Sequence, residues 1–113
     1  MNAGAAAETL AAEFLQARGL AVVERNYRCR GGEIDLIARD GATLVFVEVR
    51  LRSSSAFGGA RESITAAKRR RLKFAAGLFL SGLEREPPCR FDAILLDGLE
   101  MARIEWLVDI DVG

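Results

Sequence analysis

Histidine is absent from this sequence, and that absence excludes more chemistry than any other feature of the composition. Without an imidazole there is no Ser-His or Cys-His nucleophile pair, and no side chain whose unperturbed pKa lies near neutrality. Zinc loses its commonest nitrogen ligand, and Cys29 and Cys89 are too far apart in sequence to form a Cys-x-x-Cys pair in its place. The N-terminus has neither the basic head nor the long apolar block of an export signal, so the two cysteines read as reduced, half-buried thiols of a cytoplasmic protein. Long hydrophobic runs are missing as well. Every apolar stretch is broken by charge well short of the roughly 20 residues a membrane span needs. Any catalysis must therefore rest on carboxylates, Lys, Arg, Tyr or a metal.

What remains is an ordinary globular composition: 113 residues, half of them apolar and 28% charged, enough for one domain over residues 1–113. The net charge is zero, yet the charges are segregated. Residues 61–73 carry six basic groups against Glu62 alone, and residues 92–113 carry six acidic groups against Arg103 alone. Such asymmetry bears on partners more than the net value does.

Ala7, Leu10, Ala11, Phe14 and Leu15 recur at helical spacing, predicting a helix over residues 4–18 that Gly19 ends. Residues 20–28 and 33–39 predict two strands joined at Gly31-Gly32. Asp40-Gly41 supplies positive φ angles for a tight hairpin into a third strand over 43–52. Residues 53–60 are rich in Ser and Gly and read as a loop. A second helix, capped by Ser63 or Thr65, runs to about Leu80 on a stripe of Leu72, Ala75, Ala76 and Phe79. Strands follow over 90–97 and 102–110. The third-to-fourth-strand connection is long enough for a parallel crossover. The class is α/β: a mixed sheet of four to five strands flanked by helices.

Strand side chains alternate between faces. Val45, Val47, Val49 and Leu51 form one apolar face of the third strand, and Leu44, Phe46, Glu48, Arg50 and Arg52 the other. On the second strand Ile34, Leu36 and Ala38 are expected on the apolar side, with Glu33 and Asp35 opposite. A turn centred near residues 40–41 sets position 35 against 46 or 47, so Asp35 and Glu48 are opposed or diagonal, the diagonal being roughly 7–8 Å. Carboxylates that close repel unless a proton or cation compensates, and Mg²⁺ suits an oxygen-only gap. The same pattern equally describes a solvated sheet face with cross-strand ion pairs among Glu33, Asp35, Glu48 and Arg50. Glu8 is open in the same way. Its neighbours Ala11, Ala12 and Leu15 lean it toward the apolar face, while its place early in the helix suits a solvated carboxylate favoured by the dipole.

The strings Gly32-Glu33-Ile34-Asp35-Leu36-Ile37-Ala38 and Leu44-Val45-Phe46-Val47-Glu48-Val49-Arg50-Leu51-Arg52 strongly resemble the YraN-like family of uncharacterised bacterial proteins, uncharacterised protein family 0102. That family looks like a branch of the PD-(D/E)xK nucleases and is similar to archaeal Holliday-junction resolvases. Ala7-Glu8, Asn26-Tyr27-Arg28, Phe57-Gly58, Lys68 and Arg90-Phe91-Asp92 extend the resemblance along nearly the whole chain. It implies a restriction-endonuclease-like core and a Mg²⁺- or Mn²⁺-dependent endonuclease acting on DNA, branched or otherwise structured. It further implies that Asp35 and Glu48 bind the metal, that Glu8 is an additional catalytic acid, and that Glu33 and Arg52 support them. Position 50 is where the motif's catalytic lysine belongs, and here it is Arg50. Arginine keeps the charge and can clamp a phosphate through two hydrogen bonds, but it stays protonated and cannot act as a base. Two readings follow: a working endonuclease, or a nucleic-acid-binding module that kept the fold and lost turnover. A third is a protein-interaction domain that presents its acidic C-terminal segment to a basic partner.

Lys68, Arg69, Arg70, Arg71 and Lys73 place five basic groups in six positions of the second helix. Consecutive helical charges point in all directions, and a charge run can be no more than a solvated surface. The lack of any interleaved acid predicts phosphate contacts instead, blind to sequence and sensitive to salt, with Arg28, Arg30 and Arg61 extending the surface. No base-stacking platform is expected, because Phe74, Phe79, Tyr27 and Trp106 read as packing residues. A junction enzyme that cuts two strands in symmetry would act as a homodimer, and no membrane partner is expected.

Overall fold

Helix α1 (Ala3–Ala17) starts where the Asn2 side chain accepts the Ala5 N–H at 2.8 Å and stops as Gly19 adopts a φ of 91°. The computed structural model describes residues 2–52, 64–100 and 103–113. Strands β1 (Ala21–Cys29), β2 (Gly32–Asp40) and β3 (Thr43–Leu51) form the expected antiparallel meander. Helix α2 (Ala66–Ser81) is capped by Thr65, whose hydroxyl accepts the Lys68 N–H. It leads to β4 (Cys89–Leu96), which lies parallel to β3, and β5 (Ile104–Leu107) returns antiparallel. The sheet order is β1-β2-β3-β4-β5. The architecture is therefore the anticipated α/β core, a five-stranded mixed sheet flanked by two helices, with a fifth strand shorter than the 102–110 read from sequence. The expected loop over 53–60 with Phe57-Gly58, Arg61, and the alternative cap Ser63 lie outside the described residues.

Each face of the sheet is covered by one helix. Ala7, Ala11, Phe14 and Leu15 of α1 pack on Leu36, Ala38, Val45 and Val47, while Leu72, Ala75 and Ala76 of α2 pack on Ile34, Ile37, Leu44 and Phe46. Burial on both sides explains why Leu44 to Val47 is continuously apolar. α2 comes so close to the start of β2 that a β-carbon at Gly32 would overlap the Arg71 carbonyl oxygen.

Two sequence expectations need correction. Ile34 does not share a face with Leu36 and Ala38; it packs with Ile37 under α2. The alternation slips at Asp35, beside Asn26 of β1, which takes a left-handed φ of 54°. The hairpin is also displaced by one residue. Asp40 pairs with Thr43 around a Gly41-Ala42 loop, and Gly41 carries the positive φ (59°). Continued from Leu36 opposite Val47, this register sets Asp35 directly against Glu48 rather than against 46 or 47.

The end of the chain is tied down by polar groups. Asp92 is fully buried and accepts from Arg90 Nε (3.1 Å), Trp106 Nε1 (2.9 Å) and the Asp109 N–H (2.9 Å). Trp106 also meets Phe14 edge-on, so its packing role stands. No helix among the described residues is long and apolar enough to cross a membrane.

Candidate metal and nucleic-acid site

The site forms where the sheet opens. Pairing between β2 and β3 ends at Leu36 and Val47, although β3 continues beside β4 as far as Leu51. Beyond that point the β2-facing edge of β3 would present an unmatched N–H. The Asp35 side chain fills the place of a β2 carbonyl, accepting the Val49 N–H through Oδ2 at 2.8 Å. This fixes the Asp35 carboxylate against its sequence-predicted partner, and the two carboxyl groups hydrogen-bond each other. Such a contact requires a shared proton. Burial, then the hydrogen bond and charge of Asp35, push Glu48 up from its ordinary 4.5 to about 8; Lys68 opposes the shift and Glu33 adds to it.

Glu8 reaches the same place from α1. Burial first, and then the Asp35 charge, raise its pKa, while a hydrogen bond from the Asn26 side chain and the charges of Arg25 and Arg28 counter this. Glu8 is half-buried, close enough to Asp35 for that charge to bear on it. Asn26 had no role assigned from sequence. Its left-handed backbone breaks the strand pattern where the side chain meets Glu8. Glu33 lies at the rim, exposed and 3.8 Å from Arg28, a pair too solvated to contribute much.

The basic residues divide. Lys68 is half-buried, is the cation that favours the charged form of Glu48, and lines a cleft of about 310 Å³ with Arg28, Gly32, Glu33 and Arg71. Arg50 is half-buried two residues beyond Glu48 in β3, opposite Leu95 of β4. Arg52 is engaged elsewhere: it makes a two-pronged contact to Asp97 at 2.9 and 3.0 Å, with Glu105 at 3.8 Å. Arg69 and Lys73, one helical turn apart, hold the C-terminal segment, donating to the Ile64 and Asp111 carbonyls and to the Gly113 carbonyl respectively. Arg70 and Arg71 are exposed. Phe79 is a core residue as expected, edge-on to Tyr27 and Phe46. Phe74 is not; it is 55% exposed on the outer side of α2.

Among the described residues, no three acidic or sulfur side chains close into a ready-made metal cage. The donor set still fits Mg²⁺, which takes one or two carboxylates and completes its shell with water and phosphate. The raised Glu48 pKa means that the pair favours a compensating positive charge, which a divalent cation would supply in place of a proton.

Comparison with known sequences places the chain in a family. The profile of Uncharacterised protein family UPF0102 matches residues 7–96, a span that includes Glu8, Asp35, Glu48 and the basic run of α2. A UPF0102 protein of Nitrosomonas europaea is 57% identical, over 94% of this chain and 90% of the relative. One from Ralstonia pickettii is 60% identical over 94% and 86%, and one from Methylobacillus flagellatus 55% identical over 91% and 90%. With a family profile over most of its length and relatives this similar end to end, the chain belongs to the UPF0102 family, the one its second- and third-strand motifs resemble.

Proposed function

We propose that this protein is a divalent-metal-dependent endonuclease acting on DNA, branched or otherwise structured. The observation that carries the reading is the convergence of Asp35 and Glu48 at the opening between β2 and β3, with Asp35 held by the Val49 N–H. Mg²⁺ or Mn²⁺ bound by these two carboxylates would lower the pKa of a bound water and neutralise charge on the scissile phosphate. The chain's own groups do the positioning. Asp35 is oriented by backbone rather than by a mobile partner, Glu8 is steadied by Asn26, and Lys68 brings positive charge to the cleft edge where a phosphate would enter. Arg50 would contribute charge but no base, so the proton of the attacking water must pass to solvent or to a carboxylate. Cutting both strands of a junction in symmetry would call for two copies.

Arg50 favours one alternative, a nucleic-acid-binding module without turnover. Incubating labelled four-way-junction, flap and linear DNA with Mg²⁺ or Mn²⁺ separates the two. Cleavage by the wild-type protein that disappears in Asp35→Ala supports the nuclease. Cleavage only after Arg50→Lys supports the binding module, and none from either protein rejects the nuclease.

A further inference from the structure

Phe74 is a large aromatic side chain that the core does not use. It is more than half exposed, and one edge of its ring lies against Gly31 in the β1–β2 turn, where even a β-carbon would come within 3.2 Å of it. Arg70 and Arg71, one turn earlier on α2, stand beside it, and the three residues with Gly31 line an open groove of about 600 Å³. Gly31 and Arg71 also line the cleft that holds Glu33 and Lys68, so the groove adjoins the rim of the site, where Lys68 is the cation acting on Glu48. On its other side Phe74 continues into a shallow apolar surface with Gly77 and Leu78, again bordered by Arg70 and by Lys73.

An exposed ring flanked by cations, with no acid in the groove lining among the described residues, complements a polyanion that has flat apolar faces. A second copy of the chain fits poorly, since a two-fold pairing on this surface would set Arg70, Arg71 and Lys73 against their own equivalents. Duplex DNA offers phosphates here but keeps its base faces stacked inside. We infer that Phe74, Arg70 and Arg71 form a subsite for unpaired DNA, with a base stacked on the Phe74 ring and adjacent phosphates held by the two arginines. From Lys68 to Phe74 is about 9 Å along the helix axis, so the stacked base and a phosphate beside Lys68 belong to one short stretch of strand. The inference rests on the proposed nuclease and narrows its substrate to DNA with a single-stranded segment beside the cut.

The test is fluorescence anisotropy with a short labelled oligothymidylate and a fully paired hairpin of equal length, in Ca²⁺ so that the carboxylates are compensated. Phe74→Ala is expected to weaken oligothymidylate binding roughly fivefold to a hundredfold, to leave hairpin binding within about twofold, and to be rescued by Phe74→Trp. Unchanged oligothymidylate binding in Phe74→Ala, or an equal loss on the hairpin, overturns the subsite. So does a ribo-oligomer that binds the wild-type protein more tightly than its DNA counterpart. Failure of the two readings is separable. Cleavage that Asp35→Ala abolishes, with Phe74→Ala still binding normally, rejects the subsite alone. A Phe74-dependent single-strand affinity without cleavage rejects the nuclease alone, and no DNA affinity in the wild-type protein rejects both.

Discussion

Glu48 enters the metal-free folded state as a carboxyl group that keeps its proton to about pH 8, because burial and the neighbouring Asp35 disfavour a second negative charge. The folded protein therefore binds more protons than the unfolded chain between the ordinary value of 4.5 and about 8. Stability must fall as pH rises through that window and level off above it. Urea unfolding in EDTA should show this decline, by upwards of about 1 kcal/mol, and Glu48→Gln should flatten it. Mg²⁺ at pH 8 should restore stability to the wild-type protein and not to Glu48→Gln. If the proposed site holds, Asp35→Ala removes one of its two proposed ligands and also orphans the Val49 N–H, so cleavage should drop by about a hundredfold or more in single-turnover assays. At this scale strand alternation and the hairpin made the Asp35–Glu48 pair legible in sequence. Asn26 was not legible, because a left-handed residue inside a strand leaves no periodic trace. The proton on Glu48 was equally hidden, since it depends on burial that spacing alone does not report.

The elements depend on a few tight contacts. Gly32 lets β2 pass under α2, and Gly32→Ala should cost about 1–3 kcal/mol in thermal or chemical unfolding, since the obstructing atom is the Arg71 backbone oxygen and not a flexible side chain. Asp92 joins β4 to β5 and to Asp109, and Asp92→Ala should cost at least about 1–3 kcal/mol by stranding the indole N–H and the Asp109 N–H, while Arg90 keeps its 3.0 Å contact to Asp40. Helix and strand positions were readable from periodicity, caps and the Asp-Gly turn. The faces were readable for β3, whose alternation is unbroken, and misread at Ile34, where β2 slips beside Asn26. Hairpin register was off by a residue because Asp-Gly marks a turn without saying which of the two residues lies at its centre.

Across the whole molecule, the segregated charges serve two ends. The acidic C-terminal segment is partly bound to the basic helix, through carbonyl oxygens contacted by Arg69 and Lys73. Arg70 and Arg71 of the same helix are exposed to solvent. The run read as one nucleic-acid patch therefore predicts two phenotypes. Neutralising Arg70 and Arg71 together should lower the slope of log affinity against log salt by about two for DNA. Neutralising Arg69 and Lys73 should instead speed amide exchange at Ile110 and beyond, with a smaller effect on that slope. Sequence could not divide the run, because which helical position faces which neighbour depends on where the C-terminal segment returns.

Everything proposed for the site requires that Asp35 and Glu48 hold one divalent cation between them, and the Glu48 carboxyl reports on this directly. Its ¹³C signal should be followed through a pH titration with and without Mg²⁺. The expected result is a midpoint near 8 in EDTA that moves down on adding Mg²⁺, and a Glu48 midpoint lowered by Asp35→Ala that no longer responds to the ion. A midpoint near the ordinary 4.5 in EDTA, or one that Mg²⁺ leaves in place, would contradict a shared metal site.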